Sequence, residues 1–431
     1  MSDSAADTIY ALSSGHPPAA IAIIRVSGPR AAQCLKGLSG GIPQPRSAKF
    51  VYLHHDSQVI DNAVILYFPG PQSATGDDVV EFHVHGSRAV VSALLTALSE
   101  FPGLREAAPG EFTRRAFENG KMDLTEVEGL ADLLAAETDS QRRAALALAG
   151  GSLSRRIEGW QSRLLALAAE VESVLDFSDE GEVGESLPVG WIVRAAELSQ
   201  ELEAAVNAPP IERLRDGIRV VIAGPPNAGK STLLNALAGR EAAITSAIAG
   251  TTRDIVEAPT AIAGAPFLLA DTAGIRDSTD LIEQVGVERA LTRIRDADIL
   301  LWLGPRAECP EGTSVIVLES KSDLTPPEQR QGLADLYVSP KTGENMDALT
   351  AQLIDRGRAL LPGEGEAAWN NRHRTLLAEC LGNLLEAQSS DDLLIIAEAL
   401  RLGRGALDRI TGRAGVEDML DNLFGQFCIG K

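Results

Sequence analysis

The sequence predicts a multidomain chain, α+β at its N-terminal end and α/β in its middle, with a helical domain contributed from both sides of the α/β part. Three observations carry this prediction. Strand-like apolar runs alternate with helical patterns over residues 216–361, and a glycine-rich turn follows the first run. Leucine-rich stripes at helical spacing lie on either side of that segment. Short β-like runs separated by turns fill residues 1–120. A length of 431 residues is too long for one core and fits two or three domains.

In the first part, residues 20–26, 62–68 and 79–84 read as strands and 87–100 as a helix. From Asp123 the character changes. Asp123 with Glu126 three residues later is a helix start, followed by a stripe of Leu124, Val127, Leu130, Leu133 and Leu134. A second stripe passes through Ile157, Trp160, Leu164, Leu167, Val171 and Val174. Residues 368–425 resume the pattern with Leu376, Leu377, Leu381, Leu384 and Leu385, then 393–402. These stripes read as core packing. Pro209-Pro210 and Leu361-Pro362-Gly363-Glu364-Gly365 supply joints, so the expected domains are 1–120, 121–215, 216–361 and 362–431. Within 216–361 a hairpin of 255–263 and 266–270 around Gly264-Ala265 breaks the alternation, which predicts a mostly parallel sheet with one antiparallel edge.

Gly224-Pro225-Pro226-Asn227-Ala228-Gly229-Lys230-Ser231 follows the apolar run 218–223 and opens a helix over 231–238 that begins Ser231-Thr232. A phosphate chain needs several backbone N–H donors curled around it, and Gly224 and Gly229 permit the curl. Lys230 supplies a point charge for β/γ-phosphates, Ser231 a hydroxyl for Mg²⁺, and the helix its positive end. The motif predicts binding of a nucleoside triphosphate. Further segments narrow the base to guanine. Asp271-Thr272-Ala273-Gly274 closes an apolar strand, where Asp271 can hold Mg²⁺ through water and the Gly274 N–H can meet a γ-phosphate. Gly250-Thr251-Thr252-Arg253-Asp254 offers Thr252 as a metal ligand present only with the γ-phosphate. Ser320-Lys321-Ser322-Asp323 and Ser339-Pro340-Lys341 each follow a strand, at the carboxyl ends where a doubly wound sheet places ligands. Ser320 stands where such base-binding loops carry asparagine, while Asp323 remains to accept both guanine N–H donors. Ile275 stands where Ras-like switches carry the glutamine that orients water, so hydrolysis needs another carboxylate or cation.

The net charge of −21 argues against a chain that grips nucleic acid over its whole surface. The seven acidic residues between Glu170 and Glu185 read as a solvated loop after a helix. Cys34, Cys309, Cys380 and Cys428 form no C-x-x-C pair, which gives neither a zinc site nor a disulfide frame. No apolar run reaches membrane-span length and the polar start differs from a signal peptide, so a cytoplasmic protein off the membrane is expected. Glu81, His83 and His85 alternate along one strand and share a face, but three ligands without a fourth candidate make a weak metal site.

With these pieces placed, the chain resembles the MnmE (TrmE) family of tRNA-modification GTPases from end to end. The most specific marker is Phe427-Cys428-Ile429-Gly430-Lys431. Others are Gly110-Glu111-Phe112-Thr113-Arg114-Arg115-Ala116-Phe117, Asn119-Gly120-Lys121-Met122-Asp123-Leu124, and Asn227 in the glycine-rich loop. The resemblance implies an N-terminal tetrahydrofolate-binding and dimerisation domain, a helical domain and an inserted Ras-like G domain. It implies a homodimer that works with a flavoprotein of the MnmG (GidA) type on C5 of the tRNA wobble uridine, the partner making most tRNA contacts. It also implies a potassium site at Asn227, Ser246, Ile248 and Thr251, and Glu283 as the group that positions water. Arg25, Glu81, Lys121 and Lys431 match positions that contact 5,10-methylene- or 5-formyl-tetrahydrofolate, with the tail carrying Cys428 as a second catalytic candidate. Two departures stand out: Ser246 where threonine is common, and Ser13-Ser14-Gly15-His16-Pro17-Pro18-Ala19 where a glycine-rich loop with arginine is common. The rival readings are a regulatory GTP switch without tRNA chemistry and a dimer scaffold that binds nucleotide without hydrolysis.

Overall fold

The computed structural model describes residues 7–177, 187–240, 257–271, 292–310, 314–325, 330, 332–363, 368–414, 417–425 and 427–431. The chain divides into two compact units, Met1–Ala131 with Asp408–Lys431, and Asp132–Leu407.

The first unit holds β1 (Thr8–Leu12), β2 (Ile21–Ser27), α1 (Ala31–Ser39), β3 (Lys49–His55), β4 (Gln58–Phe68), β5 (Val79–His85), α2 (Arg88–Ser99), β6 (Leu104–Glu106), α3 (Glu111–Glu118) and the start of α4 (Leu124–Ala135). The six strands form one sheet in the order β3-β4-β5-β2-β1-β6, antiparallel except for the β1–β6 pair. Successive side chains alternate between faces. Ile24, Phe82 and Ile65 point to a core shared with Leu35 of α1 and with Leu94 and Leu98 of α2. The opposite face carries a cross-strand row of Phe50, Val64, His83 and Ile23, with Arg25 opposite Glu81 beside it.

The expected strands over 20–26, 62–68 and 79–84 and the helix over 87–100 are present, the helix capped by Ser87, whose Oγ accepts from the Val90 N–H at 3.2 Å. The expected start at Asp123 is a reciprocal cap. Glu126 accepts the Asp123 N–H at 2.8 Å, and Asp123 accepts the Glu126 N–H at 3.0 Å. The segment Glu417–Gly425, labelled α13, packs on α3 and α4 through Phe424, Phe427, Leu124 and Val127. A Cβ on Gly110 would lie 2.4 Å from the Phe424 carbonyl, and its φ of +68° is a second reason for glycine there.

The second unit begins with α5 (Asp139–Ala149), α6 (Ser152–Phe177), α7 (Trp191–Asn207) and α8 (Glu212–Asp216). It continues through β7 (Ile218–Ala223), α9 (Lys230–Arg240), β8 (Glu257–Ile262), β9 (Ala265–Asp271), β10 (Ile299–Trp302), β11 (Ser314–Ser320), β12 (Leu336–Val338) and α10 (Met346–Leu360), then α11 (Asn371–Ser389) and α12 (Leu393–Thr411). Its sheet has the order β12-β11-β10-β7-β9-β8, parallel throughout except for the edge pair β8–β9. That is the expected mostly parallel sheet. The hairpin turns one residue earlier than expected, at Ala263 and Gly264 with φ of +49° and +79°, because two positive φ values match the twist of the strands.

The stripe through Ile157, Trp160, Leu164, Leu167, Val171 and Val174 is buried throughout. Trp160 stacks on Trp369 with ring centroids 5.5 Å apart and the Arg156 guanidinium over both rings. The Trp369 carbonyl accepts the Ile211 N–H at 3.1 Å, so the segments that enter and leave the mostly parallel sheet are laced together. In α11 the buried side is His373, Leu377, Cys380, Leu384 and Ala387, whereas Leu385 is exposed. Adjacent leucines lie about 100° apart on a helix, so only one of the pair faces inward. Leu134 is exposed for the same reason beside Leu133. The acidic stretch expected as a loop starts inside α6, which runs to Phe177.

Glu111 at the start of α3 accepts from the Ala108 N–H at 2.8 Å, from both Arg105 amino nitrogens at 2.8 and 2.6 Å, and from Arg115 at 3.2 Å. Burial pushes its carboxyl up, but these donors outweigh burial and hold it below the ordinary glutamate value. A depressed folded-state value gives stability that is present above the unfolded value, about 4.3, and is lost as pH falls through the folded one. Glu111→Gln should melt lower than the native chain at neutral pH, and the gap should narrow as pH falls below about 4.3. A pH-independent gap in thermal melts would contradict this account of Glu111.

Candidate functional site

The glycine-rich turn leaves β7 and enters α9. Gly224 has φ of +146°, and a Cβ there would stand 2.4 Å from the Leu303 carbonyl of the next strand's exit. Asn227 and Gly229 also take positive φ, +61° and +94°, which curls successive N–H groups inward. Lys230 is buried and its Nζ donates to the carbonyls of Gly224 at 3.0 Å and Pro225 at 2.8 Å, which places the ammonium inside the arc of the loop. Ser231 Oγ, on the first turn of α9, donates to Asp271 Oδ2 at the end of β9 at 2.6 Å. A hydroxyl and a carboxylate meeting there are hard oxygen donors that suit Mg²⁺. Thr232 follows, exposed on the first turn of α9.

The residues expected to read the base lie at the same sheet edge. Ser339 Oγ donates to Asp323 Oδ1 at 2.7 Å and so orients the carboxylate. Lys321 Nζ donates to the Asn227 carbonyl at 2.8 Å, and Ser320 Oγ donates to the Ala228 carbonyl. Ser320 thus ties the end of β11 to the glycine-rich loop, a tether for which a hydroxyl is long enough. Pro340 is half-buried and Lys341 exposed in the turn that follows.

Sequence reasoning missed the support beneath this loop. Glu344 accepts from Ser322 Oγ at 2.7 Å and from Arg330 at 2.9 Å. The Ser322 bond first and then the Arg330 bond hold its carboxyl below the ordinary value. A glutamate in a turn carries no motif, so only the fold identifies it. Thr272, Ala273, Gly274, Ser246, Ile248, Thr251, Thr252 and Glu283 lie outside the described residues.

The first unit gathers a second set. Arg25 donates through Nε at 3.1 Å and Nη2 at 2.9 Å to Glu81 Oε1, and its guanidinium stands over the Phe112 ring at 5.8 Å. His83 Nε2 meets Glu81 Oε2 at 3.2 Å, while His85 turns to Asp61 at 2.8 Å. The strand's three candidate metal ligands are therefore divided between two pairs. Burial raises the Glu81 carboxyl, but the bonds from His83 and Arg25 prevail and hold it below its ordinary value. Lys121 is exposed in the turn between α3 and α4. The tail reaches the same unit's β1, where Ser13 Oγ donates to the Gly430 carbonyl at 2.8 Å. Gly430 has φ of +99°, Phe427 is buried, and Cys428 is exposed with Lys431 half-buried beside it.

Gly224→Ala should abolish nucleotide binding and also lower the melting temperature, because the added Cβ would meet the backbone of buried Leu303 at the exit of β10, where no side-chain movement relieves it. Ser320→Ala should weaken GTP binding by roughly threefold to tenfold, the effect of about 0.5–1.5 kcal/mol for one lost hydrogen bond. Fluorescence titration with a labelled guanine nucleotide measures both. Unchanged affinity in either variant would contradict this reading of the loop.

The chain is similar to known proteins along nearly its whole length. Residues 8–121 match the description "GTP-binding protein TrmE N-terminus", and residues 124–428 match "MnmE helical domain". The chain is 53% identical over 427 residues to a protein of Erythrobacter litoralis, covering 99% of this chain and 100% of that one. It is 53% identical over 433 residues to one of Rhizorhabdus wittichii, covering 99% and 97%. It is 49% identical over 436 residues to one of Novosphingobium aromaticivorans, covering 99% and 100%. Each of these relatives is named tRNA modification GTPase MnmE. With both descriptions matched in order along nearly the whole chain, the protein belongs to the MnmE family.

Proposed function

We propose that this chain is the GTP-hydrolysing component of the system that modifies C5 of the tRNA wobble uridine. In this reading it adds an aminomethyl-type or carboxymethylaminomethyl group, using a tetrahydrofolate one-carbon unit together with an MnmG (GidA)-type flavoprotein. The observation that carries the reading is Asp323, oriented by Ser339 and tied through Ser320 and Lys321 to the phosphate loop, in a chain about half identical from end to end to tRNA modification GTPases. Asp323 accepts the two guanine N–H donors, Lys230 faces the β/γ-phosphates, and the loop N–H groups hold the remaining oxygens.

Ser231 and Thr252 would hold Mg²⁺, with Asp271 behind it, and Asn227, Ser246, Ile248 and Thr251 would hold K⁺. These cations supply positive charge to the phosphate oxygens as negative charge builds during transfer. Glu283 orients the attacking water in place of the glutamine that Ile275 cannot supply. In the first unit, the exposed apolar side chains Ile21, Phe50 and Tyr52 share the sheet face with Arg25 and Glu81, which favours a homodimer through this face with the reduced folate beside it. Arg25 is committed to Glu81, so it orients that carboxylate, and Lys121 and Lys431 are left for the folate's glutamate tail. Cys428, exposed on the tail, is placed to take part in the one-carbon chemistry. The described helices include none long and apolar enough to cross a membrane, and a cytoplasmic site of action fits this reading.

Nucleoside mass spectrometry of total tRNA from cells lacking the chain should show unmodified wobble uridine. Supplying Cys428→Ser should leave the uridine unmodified while GTP hydrolysis stays normal. Normal modification in the deleted cells would overturn the proposal in favour of a GTP switch without tRNA chemistry, and full rescue by Cys428→Ser would remove the thiol from the chemistry. Hydrolysis should run faster in potassium than in sodium at matched ionic strength, and Glu283→Ala should slow it by roughly a hundredfold or more with GTP affinity nearly kept. Equal rates in the two salts would remove the potassium assignment.

A further inference from the structure

Glu81 is gripped unevenly by its main partner. Both Arg25 bonds, at 3.1 and 2.9 Å, land on the same oxygen, Oε1. A carboxylate held through one oxygen can still swing the other about that contact. His83 removes this freedom, because its Nε2 lies 3.2 Å from Oε2. The carboxylate accepts only, so Nε2 is the nitrogen that donates. A carboxylate offers about four lone-pair positions. Arg25 takes the two on Oε1 and His83 takes one on Oε2, so a single position on Oε2 stays open in a fixed direction.

The surroundings make His83 a specific partner. Its cross-strand neighbours are Ile23 on β2 and Val64 on β4, neither of which competes for the imidazole. The next histidine on the same face, His85, is engaged by Asp61, which accepts both its ring Nδ1 and its backbone N–H at 2.8 Å. Side-chain exposure is 23% for Arg25, 18% for Glu81 and 28% for His83. The three form one shielded polar row on an otherwise apolar stretch of sheet, where directed hydrogen bonds count for more than on an open surface.

We propose that His83 is a positioning residue of the reduced-folate site, fixing Glu81 Oε2 to accept a ring or amino N–H of the ligand's 2-amino-4-oxo heterocycle. This inference rests on the folate reading given under Proposed function. The alternative is a same-face pair along one strand that only stabilises β5. A stabilising pair would be indifferent to which donor replaces the imidazole and would leave ligand affinity alone.

The test titrates 5-formyltetrahydrofolate into the full chain by calorimetry, with a thermal melt of each variant. His83→Leu and His83→Asn should each bind about tenfold more weakly, the first having no donor and the second one too short to reach, as expected for losing a charge-assisted hydrogen bond. His83→Gln, whose amide N–H reaches a similar distance, should recover most of the native affinity. If the native chain itself shows no binding heat, the folate reading fails, and this inference with it. If the native chain binds and His83→Leu and His83→Asn bind equally well, the folate reading stands and the role of His83 is overturned. Equal weakening of the Leu, Asn and Gln variants would also overturn it, since the donor would then not be what matters. Should His83→Leu fail to melt cooperatively, the comparison of Asn with Gln decides alone.

Discussion

Parallel pairing of β7 with β9 on one side and β10 on the other brings the end of β9 and the glycine-rich loop after β7 out at one sheet edge, where the loop after β11 also lies, and the close approach at Gly224 fixes how tightly they meet. The Leu303 carbonyl occupies the space where a side chain on residue 224 would stand. Because that contact is backbone against Cα, no rotamer change relieves it, and the loop's curl is set by the sheet. Ser231 and Asp271 then face each other, and Ser320 and Lys321 reach back to the carbonyls of residues 228 and 227. The loop after β11 and the glycine-rich loop are in this way one mechanical piece. An error in either is felt by the other.

The first unit solves a different problem with an antiparallel sheet. Helices α1 and α2 cover one face, which frees the other to carry a polar row beside exposed aromatic and aliphatic side chains. The tail is drawn to this unit by Phe424 and Phe427 against α3 and α4, and by the Ser13 bond to the Gly430 carbonyl. A chain whose last residues are packed through Phe427 and Gly430 can still present Cys428 outward. Phe427 and Gly430 are buried while the two residues between them, Cys428 and Ile429, are exposed.

Much of this was legible in the sequence where a residue type is demanded by backbone geometry or by charge. Gly224 and Gly229 take the positive φ their turn requires, Lys230 lies within the loop's arc, and the cap at Asp123 and Glu126 follows from its three-residue spacing. Strands β3, β6 and β10 carried weaker signals: β6 is only three residues long, and β3 is interrupted by a bulge between Leu53 and His54. Periodicity also overstated the core at Leu385, where neighbouring leucines compete for one inward position. The support from Glu344 was illegible, since its partners Ser322 and Arg330 come from loops without periodicity; for Glu81 and His83 the shared face was legible, but not which carboxylate oxygen each donor takes. Ser320 was legible as a departure but not as a tether, because its partner is a backbone carbonyl remote in sequence.

The central claim is that one carboxylate, Asp323, held by Ser339, selects the base for a phosphate loop to which its own loop is tied. Guanine offers two N–H donors to a carboxylate, whereas xanthine replaces the amino group with an oxygen that needs a donor. Competition of xanthosine and guanosine triphosphates for the native chain and for Asp323→Asn tests this most directly. The account predicts that the native chain prefers the guanine nucleotide and that Asp323→Asn, which offers one donor and one acceptor, reverses the preference. An unchanged guanine preference in Asp323→Asn would contradict it, and base selection would have to lie elsewhere in the chain.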